Sequence, residues 1–241
     1  MNREPSSKCA WLFGRGCSVA CNLRWAVRDD LKALPREAQI TRITEILRTK
    51  MESVEVSGEP YRTLLAKLAS DTLDGWHHFF LTTNWDYLLQ REIQKLGLTV
   101  APRWLPETHV YHLNGSVEPL DSPNRSSFLL ETDPEGQRVT RIEANVGFTH
   151  LIWQRCIVIV GMSFACPTDM GLLAAIERVA EDLPIGEANW IVINRDSAAV
   201  TAVVDRLRGK FPRAIVQAAP LGFTEWQEQG MRELQELRVL R

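Results

Sequence analysis

The sequence predicts an α/β protein built on a mostly parallel, doubly wound sheet with flanking helices, and three observations predict it. An apolar run over residues 9–13 stops at Gly14-Arg15-Gly16 and opens into helix-compatible sequence. Residues 156–160, Cys-Ile-Val-Ile-Val, form an unbroken apolar run that ends in Gly161 and Ser163. Further runs of strand length, at residues 76–81 and 190–193, also end in polar residues and precede helical periodicity. Continuous apolar runs belong to strands buried on both faces, and the recurring order of strand, polar end and helix is that of parallel strands joined by crossover helices.

At 241 residues the chain can bury one substantial core, so a single domain over residues 1–241 is expected, with residues 26–75 as a helical insertion after the first strand–turn–helix unit. The formal charge of −2, from 28 basic and 30 acidic residues, leaves no global field to draw a nucleic-acid backbone or an anionic membrane. The five cysteines, Cys9, Cys17, Cys21, Cys156 and Cys166, are odd in number and contain no C-x-x-C pair. That argues against a disulfide framework and a zinc ribbon, and a reducing, cytoplasmic setting is expected. The first apolar run breaks at Gly14-Arg15, too soon for a signal peptide or a membrane span.

Glycines let a backbone approach an anion closely, so Gly14, Gly16 and Ser18 read either as a phosphate-binding turn or as a ligand-free joint between strand and helix. Arg15 either contacts a phosphate or fills its space, and contact is expected. Residues 19–25 continue as the helix that the turn opens, and Cys17 reads as a small turn residue because no neighbouring base marks it as a thiolate. Residues 34–49 have helical spacing with Pro35 in the first turn, residues 52–59 are a charged loop, and residues 61–68 return to helical spacing.

His77 and His78 are read as a solvated pair that precedes the strand, whose apolar run ends in Thr82-Thr83-Asn84-Trp85-Asp86. A parallel sheet delivers such ends to one edge, so Asn84 and Asp86 either face the glycine turn or cap the helix over residues 87–96. A short strand is expected at residues 98–100 and a better one at 108–116, ending in polar residues and glycine, where His112 and Asn114 would share a face with α-carbons roughly 6.5 Å apart. Residues 121–138, rich in Pro, Ser, Asn and Asp, read as a loop or hairpin without a core of its own. Beyond the strand at 156–160, helices are expected over 169–179 and 200–207, strands over 190–194 and 214–216, and one amphipathic packing helix over 223–240.

Taken in order, Gly14-Arg15-Gly16-Cys17-Ser18, Thr82-Thr83-Asn84-Trp85-Asp86, His112-Leu113-Asn114-Gly115-Ser116, Val160-Gly161-Met162-Ser163-Phe164 and Val192-Ile193-Asn194 form a series. It resembles the sirtuin family, and more closely its prokaryotic sirtuin-like branch, whose series runs Gly-Ala-Gly-x-Ser, Thr-x-Asn-x-Asp, His-Gly, Gly-x-Ser and Ile-Asn. The resemblance spans residues 9–194 and implies a Rossmann-like NAD-binding domain. It implies that Gly14, Gly16 and Ser18 form the pyrophosphate turn, with Arg15 inside it. Gly161 and Ser163 would line the adenosine half and Asn194 the adenine ribose. Asn84 would hold the ribose or the attacking water, and Asp86 the carboxamide end.

Two positions depart from the family pattern. Arg15 stands where alanine is usual, and Asn114 stands where the family has its general-base histidine. An amide can hydrogen-bond a hydroxyl but takes no proton near neutral pH, which leaves His112, two residues away, to assist. The deacylase branch carries a zinc module after its His-Gly motif, and this chain has no cysteine between Gly115 and Arg155, so no metal is expected.

The resemblance therefore implies hydrolysis of the nicotinamide–ribose bond of NAD, with Asn84, Asp86, His112 and Asn114 as the reacting set. It also implies the setting of a bacterial anti-phage defence system, with NAD or a related nucleotide as ligand and an activating protein partner or a homo-oligomer as trigger. The alternative, from another class, is a non-catalytic NAD or ADP-ribose sensor or assembly module that has lost its base at position 114.

Overall fold

The computed structural model of the protein describes residues 7–73, 76–95, 110–117 and 128–240. Within them the strands are β1 (Ser7–Phe13), β2 (Trp76–Thr82), β3 (Tyr111–His112), β4 (Cys156–Val160), β5 (Asn189–Ile193) and β6 (Ile215–Ala219). They form one sheet in the order β3-β2-β1-β4-β5-β6, and every pairing is parallel. This is the Rossmann-like α/β fold the sequence predicts. The chain winds outward from β1 to β3 on one side and from β4 to β6 on the other, so the direction reverses between β1 and β4.

The crossover segments carry α1 (Arg15–Ala20), α2 (Asp29–Lys32), α3 (Arg36–Met51), α4 (Glu59–Asp71), α5 (Leu88–Lys95), α6 (Glu135–Glu143) and α7 (Val146–Leu151). Then follow α8 (Pro167–Val179), α9 (Ser197–Lys210), α10 (Phe223–Glu228) and α11 (Arg232–Glu236). Side chains alternate along a strand, and β1 uses both faces: Cys9, Trp11 and Phe13 enter one core with α3, α4 and α10, while Ala10 and Leu12 enter the other with α6 to α9. The expected insertion over residues 26–75 is thus the layer that covers one face. In α4 the buried Tyr61, Leu64, Leu65 and Leu68 each contribute roughly 1.5–3 kcal/mol of burial, so packing rather than propensity holds that helix.

Several elements differ from their sequence reading. The helix expected at residues 19–25 is instead α1, which begins inside the glycine turn. It ends where Asn22 adopts a left-handed φ of 66° and the Asn22 and Leu23 amides donate back to Val19 and Ser18. Of the strand expected at 108–116, Tyr111–His112 is extended, Asn114 sits in a turn, and residues 108 and 109 lie outside the described residues. His112 and Asn114 therefore do not share a strand face. The strand expected at 98–100 also lies outside them.

The stretch over 121–138 does have a core where it is described: Phe128, Leu129 and Leu130 are fully buried, and α6 starts at Glu135. The single tail helix is two short helices, because Gly230 and Met231 both take positive φ. His77 and His78 lie within β2 rather than before it, and His78 is buried rather than solvated. Trp11 Nε1–H donates to its Nδ1 at 3.0 Å, which leaves the proton on Nε2, 2.7 Å from the Thr72 hydroxyl; that hydroxyl donates in turn to the Leu68 carbonyl. No helix of the described residues is long and apolar enough to cross a membrane.

Candidate functional site

Parallel strands bring their carboxyl ends to one edge, and there the predicted site residues meet. The glycine turn after β1 packs directly on the end of β4. Gly14 N–H donates to Val160 O, Gly16 N–H to Gly161 O and Gly161 N–H to Ile193 O, each at 2.8 Å. A Cβ on Gly16 would lie 2.7 Å from the Gly161 α-carbon, and one on Gly14 2.7 Å from the Met162 Cβ. Gly161 has φ +66° and abuts the Cys17 amide. These glycines are required by a backbone seam between the two turns, and the Gly14 and Gly16 amides already have carbonyl partners. Asn194 extends the seam: its Nδ2 donates to Met162 O at 3.1 Å and its Oδ1 accepts from Asp196 N–H. Ser163 is half-buried in the same loop, beside Phe164, whose φ of 51° is strained for an aromatic residue.

Beside the seam, toward β2, lies a cavity of about 80 Å³. Of the residues singled out in the sequence, Arg15, Ser18, Asn84, Asp86 and Asn114 line it. Gly14, Gly16, Gly161, Ser163, Asn194 and His112 do not, although all lie on the same edge of the sheet. The wall is completed by Trp25 and Trp85, with ring centroids 5.5 Å apart, by Thr83 and Glu131, and by Cys166, Thr168 and Asp169 at the start of α8. Its volume is well short of the roughly 300–1,000 Å³ that encloses a drug-sized ligand, so it suits one end of a longer molecule.

The hydrogen bonds separate side chains that hold the site from those with capacity left. Asn84 Nδ2 donates to Gly14 O at 3.0 Å, and its side chain also meets the buried Tyr61 hydroxyl, so Asn84 ties β2 to the glycine turn. Asp86 accepts the Ser18 hydroxyl at 2.6 Å through Oδ2 and the Leu88 amide at 3.2 Å through Oδ1. It therefore caps α5 and faces the glycine turn at once, and both alternatives for this residue hold. Burial raises its pKa, against those two bonds. Asn114 Nδ2 donates to Thr83 O at 2.9 Å, which fixes the amide orientation and leaves Oδ1 buried with no partner among the described residues.

His112 places Nδ1 3.1 Å from the Asn84 carbonyl and Nε2 3.3 Å from the Gln90 side chain. A carbonyl only accepts, so the proton is on Nδ1. Desolvation, partly offset by that carbonyl, pulls the pKa down to about 4, and the ring is neutral at physiological pH. Cys17 is fully buried, its Sγ donates to Val160 O at 3.3 Å, and burial raises its pKa well above the thiol range; it is the small turn residue expected.

The sequence reading missed Asp169, a carboxylate 8% exposed in the first turn of α8. Burial lifts its pKa to about 6; the Cys166 and Thr83 side chains act against that shift and the Glu131 carboxylate adds to it. Its only signal was position: an acid two residues after Cys166-Pro167, where a helix following the clearest strand begins. Among the described residues no cluster of three His, Cys, Asp or Glu is placed to hold a metal ion. No protein-family model matches the chain, and no curated protein is significantly similar to it.

Proposed function

We propose that this cavity takes the nicotinamide–ribose end of NAD and that the protein hydrolyses the bond between them. One observation carries the reading. At the carboxyl edge of a parallel sheet, the cavity combines two buried carboxylates, Asp86 and Asp169, and a free amide oxygen on Asn114 with a single cation, Arg15, at its exposed rim. Expelling neutral nicotinamide leaves positive charge on the ribose, and fixed anionic and acceptor groups in a water-poor site stabilise that charge. Arg15 has no ion pair among the described residues and suits the phosphates that follow the ribose. Asn84 and Asp86 act as positioning residues, holding the glycine turn and Ser18. His112, outside the cavity wall, steadies the Asn84 backbone.

The order of motifs from Gly14 to Asn194 that resembles the sirtuin-like branch supports NAD as the substrate. It also supports NAD depletion in a cytoplasmic bacterial defence setting, triggered by a protein partner or by self-assembly. A second reading, a non-catalytic NAD or ADP-ribose sensor, is favoured by Asn114 at the position of the family's base and by a neutral His112 off the cavity.

Purified protein incubated with NAD decides between them. The hydrolase reading expects nicotinamide and ADP-ribose in equal amounts, and expects Asn114→Ala to lower kcat by about tenfold or more, one lost hydrogen bond to the reacting sugar. Tight NAD binding without release, alone and with its native neighbours, supports the sensor instead.

A further inference from the structure

Hydrolysis needs an acceptor for the proton of water, and most groups in the cavity are excluded from that task. Both Asp86 oxygens are engaged, by Ser18 and by the Leu88 amide. Glu131 is paired with Lys32 at 2.9 Å. Burial holds the Cys166 thiol up to about 11, so it stays protonated, and Asn114 cannot accept a proton.

Asp169 is different. It lines the cavity and is nine-tenths buried beside the Cys166 and Thr83 side chains and the Glu131 carboxylate, with no cation pairing it among the described residues. A buried carboxylate without a counter-charge is costly, and such groups concentrate where a ligand or a reaction uses them. The orphaned Asn114 Oδ1 is an independent sign of a ligand in the same cavity. Thr83 links the two: its carbonyl accepts from Asn114 Nδ2 and its side chain, beside Asp169, favours the ionised carboxylate.

We propose that Asp169 is the catalytic base that takes the proton of the attacking water, while Asn114 Oδ1 accepts a hydrogen bond from a ribose hydroxyl. The inference rests on the hydrolase reading and supplies the base that reading lacks. The water oxygen bonds to the ribose C1′ as the C1′–N bond breaks. That bond's electron pair goes to the nicotinamide nitrogen, which leaves neutral, and the water proton passes to Asp169 and then to solvent.

The groups around Asp169 are Cys166 on its own segment, Glu131 in the loop before α6, and Asp86 and Arg15 from the far wall. From α6, Arg138 lies against Gly171 and donates to the carbonyls of Glu131 and Asp133. In this setting the carboxyl titrates at about 6, close to where a proton acceptor works best at neutral pH.

The test follows nicotinamide release from wild type and variants between roughly pH 5 and 8.5, with NAD affinity measured by calorimetry. Wild-type kcat/KM is expected to fall as one proton binds near pH 6. Asp169→Asn should lose about 100-fold or more in kcat and lose that acid limb, with affinity within about threefold, and Asp169→Glu should recover part of the rate. An active wild type whose Asp169→Asn variant keeps the rate or the limb overturns the assignment and leaves the hydrolase reading standing. A wild type that releases no nicotinamide, alone and with its native neighbours, overturns both. If the variants fail to fold, a flat wild-type profile across the limb is enough to overturn it.

Discussion

Asp86 and Asp169 are both buried carboxylates of raised pKa, and their partners give them different work. Asp86 follows a strand and starts a helix; Asp169 lines the cavity with no cation to pair it among the described residues. The second arrangement carries a stability penalty that pH exposes. Asp169 titrates at about 6 when folded and roughly 3.9 when unfolded, so between those values the folded chain binds more protons. Its contribution therefore falls as pH rises from about 4 to about 6 and then levels, by a total on the order of 3 kcal/mol. Asp169→Asn is expected to raise unfolding free energy by that order at pH 7.5 and to change it little near pH 4, read from urea melts at both pH values. Elsewhere, replacing Trp11 with Phe removes the donor to His78 Nδ1 in a fully buried chain, and should destabilise by about 1–3 kcal/mol in the same assay.

Among the elements, the seam between the β1 and β4 turns is the most demanding. Gly161→Ala adds a Cβ 2.7 Å from the Cys17 amide at a left-handed φ, and both neighbours are backbone that cannot swing away. A loss of about 2–4 kcal/mol is expected by denaturant unfolding, the sum of left-handed strain and overpacking. At the other end of the scale, Asp196→Ala removes a cap that accepts from the Ala198 and Ala199 amides, and should cost about 1 kcal/mol. The strands were legible in the sequence because unbroken apolar runs such as 156–160 admit few other readings. Helix ends were less so: the stop after α1 depends on Asn22 entering a left-handed conformation, and the break at Gly230-Met231 lies inside an otherwise amphipathic tail. The core under Phe128 to Leu130 was hidden by the polar residues around it. In the site, strand-tip residues could be read from position along the chain. Which of them keep hydrogen-bonding capacity could not, because Tyr61, Gln90 and Thr83 decide it from distant or differently oriented segments.

For the molecule as a whole, the sheet encloses almost all of its thiol chemistry. Cys9 and Cys156 face each other across β1 and β4 with sulfurs 3.4 Å apart, and they, Cys17 and Cys21 are buried, while Cys166 is half-buried beside the cavity. Burial raises the Cys9, Cys17 and Cys21 thiols well above the ordinary range. Iodoacetamide at pH 8 should therefore modify at most Cys166 in the native chain, and all five cysteines in urea, counted by intact mass. The glycine seam acts at this scale too. Arg15 and Ser18 stand on one side of it, and Asp169 on the helix that leaves the other, so the amide of Gly16 bonded to Gly161 fixes the spacing of opposite jaws. The width of that mouth is thus set by the fold: opening it would break the hydrogen bond that joins the two turns beyond the ends of β1 and β4.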